Sequence, residues 1–482
     1  MCNMRCTLIA VSMVLCSLCR CHSMEDYDTF EQHQVLRIVP ETQNEIKLLL
    51  ELEEQLTELD FWTRPYNLKH DVDVRVPPSL LPNIKKYLAQ NGVTYSVLIE
   101  DVQSLLNQEI ESMAKQRPKR DTNSGNDQED IDLEEINKYI LNTFSSHEEI
   151  NGWLEQIAKV CGSKCSTHDI GYTHEGRVMK LIKISGLRRR KNKAIWIDGG
   201  MHGREWISPV TANNIIYQLI TEYGTSRCVR HIVENFDWYI LPVANPDGYD
   251  YSRIRNRMWR KNRRVLESPR RPWWVEYFYG NSYFHKNCYG VDLNRNFGFM
   301  WGETGTSNNP CSDIYAGPEA FSEPESVAIQ NFTQSIHNKS QLAVYLSLHA
   351  YGQYWLYSWG YTKQLPDDSD DLKKVASDGA RAIYWSSNRK TQYEVGSAAR
   401  TLYASSGASD DWTKGELGVK YAFTLELPPS DANAHGNGFL LPTTAIRGVA
   451  EATWPGIKTM AARVLQQRLG GSHSQHTFCN YQ

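Results

Sequence analysis

The chain has 482 residues, which leaves room for two to four domains and a sizeable core. With 41% hydrophobic and 22% charged residues it has an ordinary globular composition, and 26 Tyr and 14 Trp argue against intrinsic disorder. Its 52 Lys and Arg against 56 Asp and Glu leave a net charge of -4, which speaks against a dedicated nucleic-acid binder; no run of eighteen apolar residues marks a membrane span.

The first element in chain order is a targeting segment. Arg5 precedes an apolar run over residues 8–18, and small residues follow at Cys21 and Ser23. That layout predicts a secretory signal peptide over residues 1–23, and with it an extracellular, secreted protein. Five cysteines leave with the signal, including the C-x-x-C of Cys16 and Cys19. The remaining Cys161, Cys165, Cys228, Cys288, Cys311 and Cys479 form an even set, best read as disulfides in that compartment, although the pairing does not follow from sequence. Asn331-Phe-Thr and Asn338-Lys-Ser are glycosylation acceptors that fit the same compartment.

Residues 24–120 make a unit of their own. Periodicity predicts a helix over 46–59, a strand over 72–76, a second helix over 80–91 and a strand over 94–99, a compact α+β domain. It ends at Arg117-Pro118-Lys119-Arg120, a basic site of the kind secretory proteases cut, and a polar linker follows over 121–134. The plain reading is a link between two domains. The sharper reading is an excisable pro-segment, because a basic site in an exposed linker is what activation by another protease needs.

From residue 135 to 482 strands alternate with helices. Strands are predicted over 178–184, 194–197, 238–243, 343–348 and 421–427, with an amphipathic helix over 212–220 between two of them. This is an α/β domain with a mixed, mostly parallel central sheet flanked by helices. The strand at Ile195 runs into His202 and Glu205, that at Tyr345 ends at His349, and that at Phe423 ends near Glu426. Ligands gather outside the carboxyl ends of strands in open α/β sheets, so these groups point to one site. A His and a Glu three apart, joined by a distant His, make a His2Glu zinc set with its fourth position left for water. The HExxH signature is absent.

These residues sit in a series of motifs: HGREW at 202–206, NPDG at 245–248, NRMWRK at 256–261, GVDLNRN at 290–296, SLHAY at 347–351, LYASSG at 402–407, FTLE at 423–426 and GFLLP at 438–442. In this order they resemble the A/B-type zinc metallocarboxypeptidases over nearly all of residues 135–460, and the N-terminal unit is similar to that family's pro-domain. The resemblance implies one Zn2+ per chain held by His202, Glu205 and His349, with Asp292 fixing a zinc histidine from behind. It implies Glu426 as general base and then acid, and Arg260 as oxyanion stabiliser. Asn294 and Arg295 match the pair that binds a terminal carboxylate, and Tyr403 the tyrosine that closes over substrate. Arg204 and Arg257 match outer substrate contacts. Cys288 and Cys311 match the family's common disulfide. Cys161 and Cys165 look like a local loop closure, and Cys228 with Cys479 would staple the tail.

Specificity turns on the residue two before Trp412, which is Asp410. Basic-preferring members carry Asp there, and a carboxylate at the pocket floor would pair with a C-terminal Lys or Arg. Gly360 and Ala398 match pocket-lining positions and are small; an extra residue between Trp412 and Gly418 bears on where Asp410 points. An insertion between Arg264 and Lys286, rich in Arg and aromatics, is either a rim for protein partners or a loop packed on the body. The basic run over 188–191 reads as a solvated turn. The expectation is a secreted carboxypeptidase zymogen whose pro-domain covers the active-site funnel until a protease cuts near Arg120. The alternatives are the same enzyme with apolar preference, or a non-catalytic binder of peptide C-termini.

Overall fold

The computed structural model describes residues 27–116, 133–187, 192–266, 288–388, 390–429 and 437–468. The expected signal peptide, the basic site ending at Arg120, most of the linker, the run over 188–191, most of the insertion and Cys479 lie outside the described residues.

The N-terminal unit is a four-stranded sheet in the order β2-β3-β1-β4, built from β1 (Gln34–Ile38), β2 (Asp60–Phe61), β3 (Val72–Val76) and β4 (Tyr95–Ile99), with every pairing antiparallel. Leu36, Ile38, Val72, Val74 and Val76 pack against Leu49, Leu52, Ile84 and Leu88 of helices α1 (Gln43–Gln55) and α2 (Leu81–Gln90). Helix α1 begins before the predicted 46 because Thr42 and Glu45 form a cap: Glu45 N donates to Thr42 Oγ1 at 3.2 Å, and Glu41 N donates to Glu45 Oε2 at 3.0 Å. These polar residues are invisible to apolar periodicity. It also stops short of 59, because Leu56–Leu59 turn the chain into β2. Helix α3 (Val102–Gln116) was not anticipated. Its buried positions are Val102, Leu106 and Glu109, so a carboxylate stands where the apolar pattern calls for a third hydrophobe.

The main domain holds an eight-stranded sheet in the order β11-β10-β12-β9-β7-β8-β6-β5. Its strands are β5 (Cys165–Tyr172), β6 (Val178–Ile184), β7 (Lys193–Asp198), β8 (Phe236–Leu241), β9 (Leu342–Ala350), β10 (Tyr354–Tyr357), β11 (Glu394–Ser397) and β12 (Tyr421–Leu427). The neighbours β12, β9, β7 and β8 run parallel, and antiparallel pairings flank this block on both sides. The mixed, mostly parallel sheet is as expected, and β6 and β12 carry the predicted bounds.

Both faces of the sheet are covered, so the central strands are continuous apolar runs. Ile195, Ile197, Trp238, Leu346, Leu348 and Leu425 face one core, shared with helices Ile207–Thr221 and Thr443–Arg468. Trp196, Tyr345 and Ala422 face the other, with helix Pro324–Ser340. On this second face the apolar side chains give way to polar ones along each strand at a spacing of two: Trp196 then Asp198, Tyr345 then Ser347 and His349, Ala422 then Thr424 and Glu426. Cys161–Cys165 and Cys288–Cys311 are disulfides, and Cys228 is disulfide-bonded as well. Asn331 and Asn338 are both exposed on helix Pro324–Ser340.

Candidate active site

Since β12, β9 and β7 are parallel neighbours, their carboxyl ends open at one edge of the sheet. Beyond β7 the chain turns sharply through residues 199–205. A side chain at Gly203 would lie 2.3 Å from Gly248 O, so only glycine lets the turn seat against that backbone. The turn places His202 Nδ1 2.6 Å from Glu205 Oε1, and β9 brings His349 Nδ1 to 3.1 Å from Glu205 Oε2 and 3.2 Å from His202 Nδ1. One donor atom from each of the three lies within 4.8 Å of the others, and all three residues are buried. Asp292 Oδ1 lies 3.0 Å from His202 Nε2. An ionised carboxylate only accepts, so Nε2 carries the proton and Nδ1 turns its lone pair to the cluster. Burial disfavours ionisation of Glu205, but the two imidazoles outweigh it and hold that carboxyl well below the usual range. Two imidazole nitrogens and a carboxylate oxygen converging in a buried pocket fit the donor set of a catalytic zinc.

Glu426 stands opposite His349 in the β12–β9 register and lines the same cavity. Burial pushes its carboxyl up to about 8, partly opposed by His349, Arg260 and Arg295. Arg260 donates to Asp292 Oδ2 through Nε at 3.2 Å and Nη2 at 2.9 Å, and its Nη1 lies 3.8 Å from Glu205 Oε1. One buried aspartate therefore steadies both His202 and Arg260. Arg295 is locked by Gly305 O and Asn294 O, each 2.9 Å away, and its Nη2 reaches the Tyr403 hydroxyl at 3.2 Å. Asn294 Oδ1 accepts from Ser409 N.

Asp410 is buried and lines the cavity together with Gly360 and Ala398. Its oxygens accept from Asp411 N at 3.0 Å and Thr424 Oγ1 at 3.2 Å, and burial raises its pKa. The neighbouring Asp411 is spent on the backbone, accepting from Gly360 N and Tyr361 N. Asp410 lies in the first turn of helix Ser409–Gly415 and faces the cavity.

The N-terminal unit forms the opposite wall. Trp62, Thr63, Arg64, Asn67, His70 and Asp71 line the same cavity. Tyr66 stacks on Tyr403 with ring centroids 4.9 Å apart, and the Arg64 guanidinium lies over both rings. Asn67 Nδ2 donates to Leu402 O at 2.8 Å, and Tyr351 OH donates to Asp73 Oδ2 at 2.8 Å. Arg204 and Arg257 are not among the residues that line the cavity. Both are buried: Arg204 Nη1 donates to Asp60 Oδ1 at 2.8 Å, and Arg257 Nε donates to Glu109 Oε2 at 2.8 Å. The buried carboxylate of α3 thus has its partner on the other unit, which residue periodicity within one helix does not reveal.

Truncating one member of a buried pair typically costs ~3–5 kcal/mol, because the other charge is left unpaired. Glu109→Ala should accordingly weaken docking of the N-terminal unit by more than about a hundredfold, read by gel filtration after cleavage between the units. Burial disfavours ionisation of Asp60, but Arg204 and Arg75 outweigh it and lower its pKa to about 2. Arg75 belongs to the same unit as Asp60 and acts whether or not it is docked, so the share of the depression due to Arg204 is what stabilises docking, and it is lost only as pH falls through the docked value. In the same chromatography the wild-type unit should remain docked at pH 5.

Comparison with known proteins agrees with this geometry. Residues 150–456 match the family described as zinc carboxypeptidase, and residues 36–109 match the carboxypeptidase activation peptide. Carboxypeptidase A2 of Mus musculus is 36% identical over 439 residues, covering 91% of this chain and 95% of that protein. Carboxypeptidase B of Astacus astacus is 40% identical over 320 residues, covering 66% of this chain and 96% of that protein. Among solved structures, the carboxypeptidase A from Helicoverpa armigera superposes with a TM-score of 0.77 at 29% identity, covering 91% of this chain and 98% of that one. Thrombin activatable fibrinolysis inhibitor gives 0.75 at 29% identity, covering 91% and 100%.

Proposed function

The chain belongs to the zinc carboxypeptidase family, as a zymogen of the A/B kind, and we propose that its mature form removes single residues, Lys and Arg foremost, from peptide C-termini. His202, Glu205 and His349 are the residues that would hold the zinc, which when bound supplies Lewis acidity at the scissile carbonyl and activates water.

The side chains divide the remaining work. Glu426, opposite His349 in the sheet and lining the same cavity, takes a proton from the attacking water on its carboxylate and returns it to the leaving amine. The Arg260 guanidinium, steadied by Asp292, meets the negative charge that develops on the carbonyl oxygen. Arg295 and Asn294 bind the terminal carboxylate, which restricts attack to the last peptide bond. Tyr403 closes over the substrate once the N-terminal unit has left. Arg204 and Arg257, freed of Asp60 and Glu109, serve as outer contacts for the preceding residues.

Preference for a basic end rests on Asp410. Among the described residues no cationic side chain pairs with this buried carboxylate, whose two donors are a backbone N–H and a hydroxyl. A buried charge without a counter-charge is costly, and a Lys or Arg side chain entering between Gly360 and Ala398 supplies one.

Residues 24–120 act as the pro-domain and intramolecular inhibitor, 121–134 as the linker, and 135–482 as the catalytic domain. A protease cutting near Arg120 activates the protein after secretion, with residues 1–23 removed. The test is the zinc-loaded protein cut after Arg120 and offered peptides ending in Arg, Lys, Phe or Glu. Fast release of Arg and Lys is expected. Release of Phe alone would keep the enzyme and overturn the preference, and no release at all would leave a binder of C-termini.

A further inference from the structure

His202 has a carboxylate directly behind it, whereas His349 is braced through two residues. His349 Nε2 lies 3.0 Å from Ser347 Oγ, and the Ser347 hydroxyl donates to Asp198 Oδ1 at 2.5 Å. The other oxygen of Asp198 accepts from Trp196 Nε1 at 2.6 Å. Asp198 and Ser347 are wholly buried. The arrangement follows from the sheet: Asp198 and Ser347 are register partners across β7 and β9, while Ser347 and His349 are two apart on one face of β9.

The chain of bonds has a direction. Both oxygens of Asp198 accept, one from Trp196 Nε1 and the other from Ser347 Oγ, so the Ser347 proton is committed to Asp198 and Ser347 Oγ is left as an acceptor toward His349. The nitrogen facing Ser347 must then carry a proton, which leaves His349 Nδ1 as the lone pair facing Glu205 and His202. We propose that Asp198 and Ser347 form a positioning relay that fixes the tautomer and ring orientation of His349 for zinc, as Asp292 does for His202. The inference rests on the proposed ligand set.

Asp198→Asn probes the direction of the relay. Trp196 Nε1 keeps its need for an acceptor, so the amide oxygen turns to Trp196 and the amide nitrogen to Ser347. The serine then receives a hydrogen bond and offers its own proton to His349 Nε2. That favours the tautomer with a proton on Nδ1, toward the metal, much as an Asp-to-Asn change behind a catalytic histidine fixes the wrong tautomer. Ser347→Ala removes the middle of the relay. Zinc affinity of the intact precursor would be measured by competition with a chromogenic chelator, beside the melting temperature of the metal-free protein.

Both variants are expected to lose roughly 10–100-fold in zinc affinity, Asp198→Asn at least as much as Ser347→Ala. Ser347→Thr, which keeps the hydroxyl, should lower the metal-free melting temperature through its added methyl yet retain the affinity. Wild-type zinc affinity in a folded Ser347→Ala or Asp198→Asn variant overturns the relay and leaves the ligand set intact. A precursor whose zinc affinity is unchanged by His349→Ala overturns the ligand set and the relay with it. If one relay variant does not fold, the other decides.

Discussion

Glu426→Gln is expected to lower kcat on an Arg-terminated peptide by roughly 100–10,000-fold, the range that a positioned proton-transfer group contributes. The amide keeps the size and hydrogen-bonding shape of the carboxylate but cannot take a proton. Its backbone is held by pairing with β9 on one side and β10 on the other, with Leu425 and Leu427 buried on either side of it. Substrate KM and zinc content should therefore stay close to wild type, and folding stability should not fall, since burial already disfavours the charge of Glu426. Steady-state kinetics with zinc measured on the same sample checks this. A variant that turns over at the wild-type rate would place the base elsewhere.

The second large effect concerns selectivity. Asp410→Ile should lower kcat/KM for peptides ending in Arg or Lys by about 2–5 kcal/mol, the usual cost of losing one partner of a desolvated charge pair, which is roughly a 30- to several-thousand-fold loss. Peptides ending in Phe or Leu should gain. The protein should tolerate the change, because an aliphatic side chain replaces a carboxylate whose burial is unfavourable, at the expense of the Thr424 hydroxyl and Asp411 N–H bonds. Side-by-side kinetics on the four peptides reads it directly. An unchanged Arg-to-Phe ratio would overturn Asp410 as the selectivity residue.

Legibility followed the physics of each element. Strands β6 and β12 could be delimited from sequence because buried strands are short, bounded apolar runs. Helix α1 was shifted because its start is written in Thr42 and Glu45 rather than in hydrophobes. Helix α3 was missed because Glu109 occupies a core position whose partner, Arg257, lies 148 residues away. The cluster of His202, Glu205 and His349 was readable as groups at two strand ends, with Glu426 at a third, and Asp292 only through the resemblance. Asp198 and Ser347 carry no local signal of their role, since a Ser two before a His and an Asp at a strand end are common until the register sets them side by side. The grip of the N-terminal unit on Tyr403 was equally hidden: a stack between Tyr66 and Tyr403 leaves no periodic trace in either segment.

The pairing of Glu426 with His349 across β12 and β9 bears on how such a site can change over evolutionary time. Neighbouring strands lie about 4.8 Å apart whatever their side chains, so the spacing of these two groups is inherited with the sheet. A one-residue slip of either strand would turn all its inward side chains outward at once, so gradual drift of the pair is blocked while its loss is abrupt. Asp410 sits instead at the start of a short helix off the sheet, where one substitution changes what enters without disturbing that spacing. Selectivity is therefore free to diversify on a scaffold whose chemistry is nearly digital, either retained whole or gone.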